Sequence, residues 1–361
     1  MKIGILTYHL THNYGGCLQA LALRIALESL GHEVYYVDYW PKYHQRKYSA
    51  FNIDEFNGLG LRGKAGYLLR TLRHYPFFSK RKENFERFHN TYTYPYCKPT
   101  SEAYDVIVYG SDQIWRKQSH SHQYNPVYFG DNDFKARLHV SYAASMGVLP
   151  TKQVDVKVVV QLVSHLYRIG VRELDLKDFL SEQGVSDVNL TIDPTLLLDS
   201  ETWNKIVPLE PYTGKPYILV YALWGEVFDM KSIYQFAKQH DMIVKILRGR
   251  PTHKDTETEI TTAGPEEFLR LIKSASFVFS SSFHGLVFSI LHHKSFYTSF
   301  SKNGGRARSL LSTIGLSDRY LEPLQPITQI MFDTEIDYSE VEKHLSESKF
   351  SSLNYLHSIH I

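Results

Sequence analysis

Short apolar runs alternate with stretches of helical spacing along most of this chain. Residues 2–7 form the first apolar run, and a polar loop then leads into a segment whose apolar side chains recur at helical spacing until Gly31. A second apolar run at 33–38 completes a strand–helix–strand unit. Further apolar runs of strand length lie at 104–109, 138–143, 188–192, 217–221, 243–247 and 277–279. Strands that alternate with helices predict an α/β protein with parallel sheets.

The alternation falls into two series. A proline-containing stretch at 208–216 separates them and is typical of a linker. We therefore predict an N-terminal α/β domain at 1–207 and a C-terminal α/β domain at 208–361, which face each other across a cleft. A chain of 361 residues is long enough for two domains of ordinary size. A helix is predicted at 339–346, followed by a polar tail that could pack back onto the first domain.

Polar and glycine-rich loops follow several predicted strands of the first domain. Asn13, Gly15 and Gly16 precede the first helix, and Ser111 and Asp112 follow the strand at 104–109. Ligands of open α/β sheets collect at the carboxyl ends of the strands, so these loops are candidate binding loops. The glycine turn lacks the GxGxxG spacing, which argues against a bound dinucleotide.

A serine-rich turn in the second domain carries a histidine. Ser281, Ser282, His284 and Gly285 follow the strand at 277–279 and open the next helix. An imidazole at a helix N-terminus can give or take a proton near neutral pH, beside free backbone N–H groups that attract anions. A plainer interpretation also stays open, in which Ser282 caps the helix and His284 only packs.

An arginine stands where a predicted strand of the first domain gives way to a helix. Arg172 in that position is suited to hold an anion through its guanidinium fork. The alternative is an ion pair with Glu173 or Asp175. A second arginine, Arg306, opens a helix in the second domain after two glycines.

The region 41–100 differs from the rest of the chain. It has few strand signals, and between Arg62 and Arg87 eight basic residues stand against only Glu83 and Glu86. Two interpretations stay open for this insertion. Its basic and apolar residues contact an anionic membrane surface or a lipid-linked substrate, or they form a solvated pair of helices at the edge of the domain.

The overall composition, net charge and cysteine count point to an ordinary soluble protein. A hydrophobic content of 43% and a charged content of 22% are ordinary for a soluble protein, and a net charge of +2 gives no reason to expect a nucleic acid partner. Two cysteines, Cys17 and Cys97, argue against a disulfide framework. No apolar run is long enough to span a membrane and no signal peptide is evident, so we expect a cytoplasmic protein. No spacing of Cys and His predicts a metal site.

Seven segments, taken in order, resemble the polysaccharide pyruvyl transferase family, and together they cover nearly the whole chain. They are NYGGCLQALAL at 13–23, YDVIVYGSDQIW at 104–115, SYAASMG at 141–147, VRELDLKDFL at 171–180, IDPTLLL at 192–198, PEEFLRLIKSASFVFSSSFHG at 265–285 and RARSLLSTIGLSDR at 306–319. The resemblance implies a fold of the glycosyltransferase-B type, with two Rossmann-like domains around a cleft.

The resemblance also implies an activity. Members of this family transfer pyruvate from phosphoenolpyruvate to two hydroxyls of a sugar, commonly as a 4,6-ketal on a galactose-type residue of a capsule or cell-wall glycan. It implies a donor site in the second domain and an acceptor site in the first, with no cofactor. His284 corresponds to the family's general acid, Arg172 and Arg306 to its anion ligands, and Asp112 to an acidic residue that orients the acceptor or acts as a base.

One position departs from the family pattern. Some members have an arginine two residues before the histidine, where this chain has Ser282. Either Arg306, Arg308 or Arg248 supplies the missing guanidinium, or the donor binds differently. Two other functions remain open at this point: a glycosyltransferase that uses a nucleotide sugar, since the same architecture supports that chemistry, and a non-catalytic protein of glycan assembly.

Overall fold

A computed structural model describes residues 1–51, 53–118, 121–223, 227–301 and 304–359. The fold contains two sheets, and every strand pair in them is parallel. The first sheet consists of β1 (Lys2–Leu6), β2 (Glu33–Val37), β3 (Cys97–Lys98), β4 (Ala103–Tyr109), β5 (Lys135–Ala144), β6 (Arg168–Val171) and β7 (Val188–Leu190). The second consists of β8 (Tyr217–Ala222), β9 (Ile243–Arg248), β10 (Glu259–Ile260), β11 (Phe277–Ser280) and β12 (Ser295–Thr298).

Helices connect the strands and cover both sheets. They are α1 (Tyr14–Ser29), α2 (Lys42–Lys47), α3 (Ile53–Asn57), α4 (Leu61–Tyr92), α5 (Gln153–Val163), α6 (Leu174–Glu182), α7 (Ser200–Ile206), α8 (Met230–Gln239), α9 (Pro265–Ser274), α10 (Phe283–Leu291), α11 (Gly305–Thr313), α12 (Gln329–Asp333) and α13 (Tyr338–His357). Short 3-10 helices lie at Tyr94–Tyr96, Pro126–Phe129, Pro194–Leu197 and Ser317–Arg319.

The strand order explains why the candidate loops converge. The first sheet runs β3-β2-β1-β4-β5-β6-β7 and the second runs β10-β9-β8-β11-β12. In each sheet the order reverses at a central pair, β1 and β4 in the first and β8 and β11 in the second, and ligands of such sheets bind beyond the carboxyl ends of these strands. The predicted α/β class with two Rossmann-like parallel sheets is confirmed. The predicted boundary at 207/208 falls between β7 and β8.

One apolar core joins the two halves of the molecule. Tyr14, in α1, is stacked between Phe85 of α4 and Phe268 of α9, with ring centroids 5.4 and 4.6 Å apart. The Tyr14 hydroxyl donates a hydrogen bond to the carbonyl of Ala263 at 3.1 Å and accepts one from Arg81 Nη1 at 2.6 Å. Because these residues come from both halves, their packing fixes how the two sheets face each other.

The basic stretch of the insertion lies in one long helix, α4, which follows the short helices α2 and α3. Helix α4 extends over 32 residues and includes Pro76. Its C-terminal part is packed, with Arg81, Phe85, Phe88 and His89 buried, and Arg81 also donates to the carbonyls of Thr261 and Gly249 in the second half. Its N-terminal part is mostly exposed. The basic stretch from Arg62 to Arg87 is therefore one continuous helix and not a pair of helices, because α4 continues through Pro76.

The C-terminal helix is also longer than predicted. Helix α13 covers Tyr338–His357, where only 339–346 was expected to be helical. It contacts the first sheet, since Tyr355 Oη donates to the carbonyl of Ser141 at 2.7 Å and Ser352 Oγ accepts from the backbone N–H of Ile192 at 3.0 Å. In the described part of the chain, no helix combines the length and the apolar character needed to cross a bilayer.

Candidate active site

A cluster of charged side chains lies where the two halves meet. It consists of Asp112, Arg172, Glu173, Asp193, His284 and Arg306. The first four follow strands or lie in loops of the first half. The last two lie in the first turns of α10 and α11 in the second half. We refer to these six residues as the charged cluster.

Arg172 is the centre of the charged cluster. It follows β6 directly, and its backbone N–H donates to the carbonyl of Ala144 at 3.1 Å. Its Nη1 donates to Asp193 Oδ2 at 2.5 Å, and its Nε donates to Glu173 Oε1 at 3.4 Å. Among the described residues, Nη2 is buried and has no hydrogen-bond acceptor. Burial lowers the pKa of Arg172, but the carboxylates of Asp193, Glu173 and Asp112 outweigh it and leave that pKa above its usual value.

Asp193 connects Arg172 to the histidine. Its Oδ1 accepts hydrogen bonds from the backbone N–H and the hydroxyl of Thr195, at 3.1 and 2.6 Å. Its Oδ2 accepts from Arg172 and lies 3.4 Å from His284 Nε2. Burial opposes ionisation of Asp193, but His284, Arg172 and the Thr195 hydroxyl outweigh it, so the pKa of this carboxyl is held well below its usual range. It therefore stays charged at neutral pH.

Asp193 was not predicted as a site residue. It lies in the IDPTLLL segment, which was named only as one of the segments that resemble the family. Its signal is the same as that of the other loops, an acidic side chain just after a strand, here the short strand β7. Glu173 was considered only as a partner of Arg172. Its Oε1 also accepts from the Ser145 hydroxyl at 2.6 Å, and burial raises its pKa above the ordinary value in spite of Arg172 and Arg306.

His284 lies in the second half of the chain, but its imidazole packs against Gly15 of α1 in the first half. It is the second residue of α10, whose N-cap is Ser282. A methyl group placed on Gly15 would lie 1.9 Å from His284 Nδ1 and 2.3 Å from its Cγ, so the imidazole packs against bare backbone. Within the described residues, its buried Nε2 makes no hydrogen bond, although Asp193 is near. The glycine therefore sets the position of the ring.

Asp112 lies between the two arginines. It has a positive φ of 78°, and its carbonyl accepts from the backbone N–H of Ser145 at 3.0 Å. Its Oδ1 lies 3.7 Å from Arg172 Nη2 and 4.0 Å from Arg306 Nη1. Burial raises its pKa, but Arg172, His284 and Arg306 outweigh this and hold the pKa below the usual value. Asp112 is therefore an ionised hydrogen-bond acceptor and a weak base.

Arg306 is the only one of the three alternative arginines that lies in the charged cluster. Its Nε lies 4.0 Å from Glu173 Oε1 and, among the described residues, makes no hydrogen bond although it is buried. Burial and the neighbouring Arg172 lower its pKa. Arg308 instead donates to Glu322 at 2.9 Å and stacks on a tyrosine. Arg248 donates to Glu259 at 3.2 Å, on the outer strands β9 and β10.

Three of the predicted binding residues shape the first turn of α1 and the loop after β4. Asn13 is the N-cap of α1, and its side chain accepts from the backbone N–H of Gly16 at 3.1 Å. Gly16 packs so closely that a methyl group there would lie 2.3 Å from Thr11 Cγ2. The backbone N–H of Ser111 donates to Gln19 at 3.1 Å, and its buried hydroxyl has no hydrogen-bond partner among the described residues.

Three more predicted binding residues, Ser281, Ser282 and Gly285, lie around the turn before α10. Ser281 Oγ accepts from the backbone N–H of Leu223 at 2.9 Å and donates to the carbonyl of Tyr221 at 3.3 Å. Ser282 caps α10 by accepting from the backbone N–H of Gly285 at 3.4 Å, and Gly285 packs against Ser280 and Tyr221. In this structure these residues hold the turn that presents His284.

A cavity of about 460 Å³ opens beside the charged cluster. Arg172, Asp193, Arg306 and Phe283 line one end of it. Aliphatic, serine and threonine side chains of β7, the segment after it, α11 and α13 line much of the rest, together with the charged Lys177 and Glu347. Buried guanidinium donors without acceptors, at the edge of an open cavity, form a site that suits a small anion.

Comparison with known families agrees with the motifs that carry these residues. The model of the family described as polysaccharide pyruvyl transferase matches residues 13–299, most of the chain. The chain belongs to this family. No curated protein sequence matched the chain.

The polysaccharide pyruvyl transferase chain also has distant structural neighbours. A putative UDP-N-acetylglucosamine 2-epimerase from Listeria monocytogenes superposes with a TM-score of 0.45 at 10% identity, over 98% of this chain and 90% of that one. The UDP-GlcNAc 2-epimerase from Methanocaldococcus jannaschii gives 0.44 at 10% identity, over 96% and 92%. The heptosyltransferase WaaC from E. coli, solved with ADP, gives 0.41 at 11% identity, over 96% and 100%.

Proposed function

We propose that this protein transfers pyruvate from phosphoenolpyruvate to two hydroxyls of a sugar in a cell-surface glycan, forming a cyclic ketal. The observation that carries the proposal is a pair of buried donors in the same charged cluster as His284. These donors, Arg172 Nη2 and Arg306 Nε, have no hydrogen-bond acceptor among the described residues. Phosphoenolpyruvate has a carboxylate and a phosphate, and two guanidinium groups suit two anionic groups.

The charged cluster supplies a group for each step of this reaction. His284 gives a proton to the methylene carbon of phosphoenolpyruvate, so that positive charge develops at C2. A sugar hydroxyl attacks C2, and its proton replaces the one that left the enzyme. The bond from C2 to the phosphate oxygen breaks. A second hydroxyl then closes the ketal, and its proton leaves with the phosphate.

The carboxylates have different roles in the proposed reaction. Asp112 accepts a hydrogen bond from the attacking hydroxyl and orients it, because its lowered pKa makes it a poor proton acceptor. Asp193 Oδ2 lies 3.4 Å from His284 Nε2 and orients the imidazole that donates the proton. The aligned positions of both carboxylates depend on Arg172, which contacts each of them. No cofactor is needed for any of these steps.

We propose further that the acceptor is a galactose-type sugar, modified at O4 and O6, on a glycan carried by a lipid diphosphate at the inner face of the membrane. The mixed lining of the cavity, with Arg172 and Arg306 beside aliphatic and hydroxyl side chains, is suited to an amphiphilic acceptor next to an anionic donor.

The test combines product analysis with variants. The protein is mixed with phosphoenolpyruvate and galactose-terminated glycans, and phosphate release and acceptor mass are measured. We expect a mass gain of one pyruvate ketal with equimolar phosphate, which is absent in His284→Ala. Absence of any gain with every galactoside, together with thermal stabilisation by a nucleotide sugar and none by phosphoenolpyruvate, would refute the proposal in favour of glycosyl transfer.

A further inference from the structure

The exposed part of α4 presents an apolar stripe to solvent. Leu61, Leu68, Leu69, Leu72 and Tyr75 are 89, 44, 69, 70 and 56% exposed. At roughly 100° per residue, these five side chains fall within an arc of about 120° on one side of the helix, over a length of about 21 Å. We call this set the leucine stripe. Single exposed leucines are common on protein surfaces, but a continuous set of this size marks a contact surface.

The opposite side of the same helix segment is already packed. Tyr67 is 6% exposed, and its ring lies 5.4 Å from that of Phe51 and 5.8 Å from that of Phe56. The leucine stripe is therefore not the core-facing side of the helix. Phe51 and Ile53, which are 36 and 47% exposed, also leave apolar area uncovered in the segment that leads into α4.

The cationic side chains along both borders of the leucine stripe indicate that its partner is anionic. From Leu61 to Lys82 the chain has no acidic residue. By the same helical geometry, Arg62 and Arg73 lie along one border of the stripe and Lys64 along the other. An apolar stripe with cations on both borders is the pattern of a helix that lies in a membrane interface, with its leucines among the acyl chains and its cations at the headgroups.

We infer that the leucine stripe of α4 docks this protein on a membrane surface rich in anionic phospholipid. The complementary charge favours a lipid surface over a second copy of this chain, whose equivalent face has the same positive border and would repel it. The inference deepens the proposed lipid-linked acceptor and rests on it for its purpose. The docking itself does not depend on the donor or on the reaction.

The C-terminal half of α4 links this surface to the charged cluster. Arg81 binds the Tyr14 hydroxyl in α1, and the next residue of α1, Gly15, is the one that packs against His284. The helix that touches the lipid is thus fixed to both halves of the molecule. A protein docked in this way holds its catalytic cavity at a constant distance from the headgroups.

The test is co-sedimentation of the full-length protein with vesicles of phosphatidylcholine, with and without phosphatidylglycerol. We expect binding only to the anionic vesicles, weakened by salt. Leu69→Ser/Leu72→Ser should abolish it. Replacing Arg62, Lys64 and Arg73 by glutamine should lower the affinity on the order of 100-fold, at about 1 kcal/mol for each cation.

Matched variants control for lost apolar area and lost charge. Ile330→Ser/Phe350→Ser removes two side chains that are 75 and 68% exposed elsewhere on the surface, and Lys205, Lys215 and Lys343 provide three exposed lysines for the charge control. These variants should bind vesicles like the unmodified protein. Unchanged thermal unfolding shows that the stripe variants are folded.

Three results would overturn the inference. They are no binding of the unmodified protein to the anionic vesicles, equal binding by the stripe variants, or light scattering that shows the stripe variants breaking a dimer without changing vesicle binding. Phosphate release with a water-soluble galactoside separates this test from that of the proposed function. We expect it to be unchanged in the stripe variants, whereas its absence in the unmodified protein would count against the reaction and leave the docking result standing.

Discussion

Replacing Gly15 by alanine should disable the enzyme through a single methyl group. The added carbon would lie 1.9 Å from His284 Nδ1, 2.3 Å from Cγ and 2.5 Å from Cε1. To restore an ordinary contact of about 3.4 Å, the imidazole must withdraw by about 1.5 Å. The ring then leaves its position 3.4 Å from Asp193. Because a misplacement of about 1 Å can cost about 100-fold in rate, we expect kcat/KM to fall by at least about 100-fold.

The fold should survive this change. The three nearest atoms are all in the His284 side chain, which can rotate away, and alanine is favoured over glycine inside a helix by up to about 1 kcal/mol. Gly66→Ala is the matched control, since Gly66 also lies in a helix and has no atom within 4 Å of the added methyl. The assay is phosphate release from phosphoenolpyruvate with a galactoside, alongside thermal unfolding of both variants.

A second readout locates the effect at the ring. The proton resonances of the His284 imidazole, assigned by their absence from the spectrum of His284→Gln, should shift in Gly15→Ala and stay in place in Gly66→Ala. If Gly15→Ala is folded and turns over like Gly66→Ala with unshifted resonances, the contact between Gly15 and His284 does not position the ring. The reasoning would then be refuted.

The remaining predictions concern the arginines, the buried carboxylate and the thiols. Arg306→Gln should raise the KM for phosphoenolpyruvate by about 10-fold or more, because a guanidinium bond to a charged group is worth about 1.5–3 kcal/mol, whereas Arg308→Gln should leave KM unchanged. Equal KM values would contradict that assignment. Asp193→Asn should lower the free energy of unfolding by about 3 kcal/mol at neutral pH, measured by urea titration. Since the folded-state pKa of Asp193 is lowered, its contribution is present above the ordinary value of about 3.9 and is lost as the pH falls, so the two proteins should converge in acid. Burial raises the pKa of Cys17 far above neutrality and that of Cys97 to about 12, so iodoacetamide should label both far more slowly than free cysteine at pH 7 unless the protein is unfolded.

The sequence predicted most strands because their apolar runs are short and bounded by polar loops. The predicted run at 243–247 is β9, and the loop after the run at 104–109 carries Asp112 as expected. Strand β10 has only two residues, too few for a pattern. A proline inside a helix usually breaks or kinks it, yet α4 continues through Pro76, since its C-terminal part is held by packing between the two halves.

The candidate site was predictable residue by residue but not as a network. His284, Arg172 and Arg306 were each found from their place at a strand end or helix start. The sequence could not show that Asp193 lies between Arg172 and His284, because the three are separated by up to 112 positions and only the fold brings them together. The role of Gly15 was equally hidden, since a glycine that makes a turn and a glycine that seats a ring look identical in sequence.

The contacts between α1 and the second half of the chain affect how the protein folds during synthesis. Tyr14 and Gly15 leave the ribosome early, but Phe268 and His284, which cover them, are synthesised some 250 residues later. At about 5–20 residues per second, the apolar face of α1 stays exposed on the order of ten seconds or more before Phe268 and His284 are synthesised. The nascent first half therefore offers a surface for chaperones during that interval. His284, which completes the charged cluster together with Arg306, also joins the first half only after the second half has been synthesised.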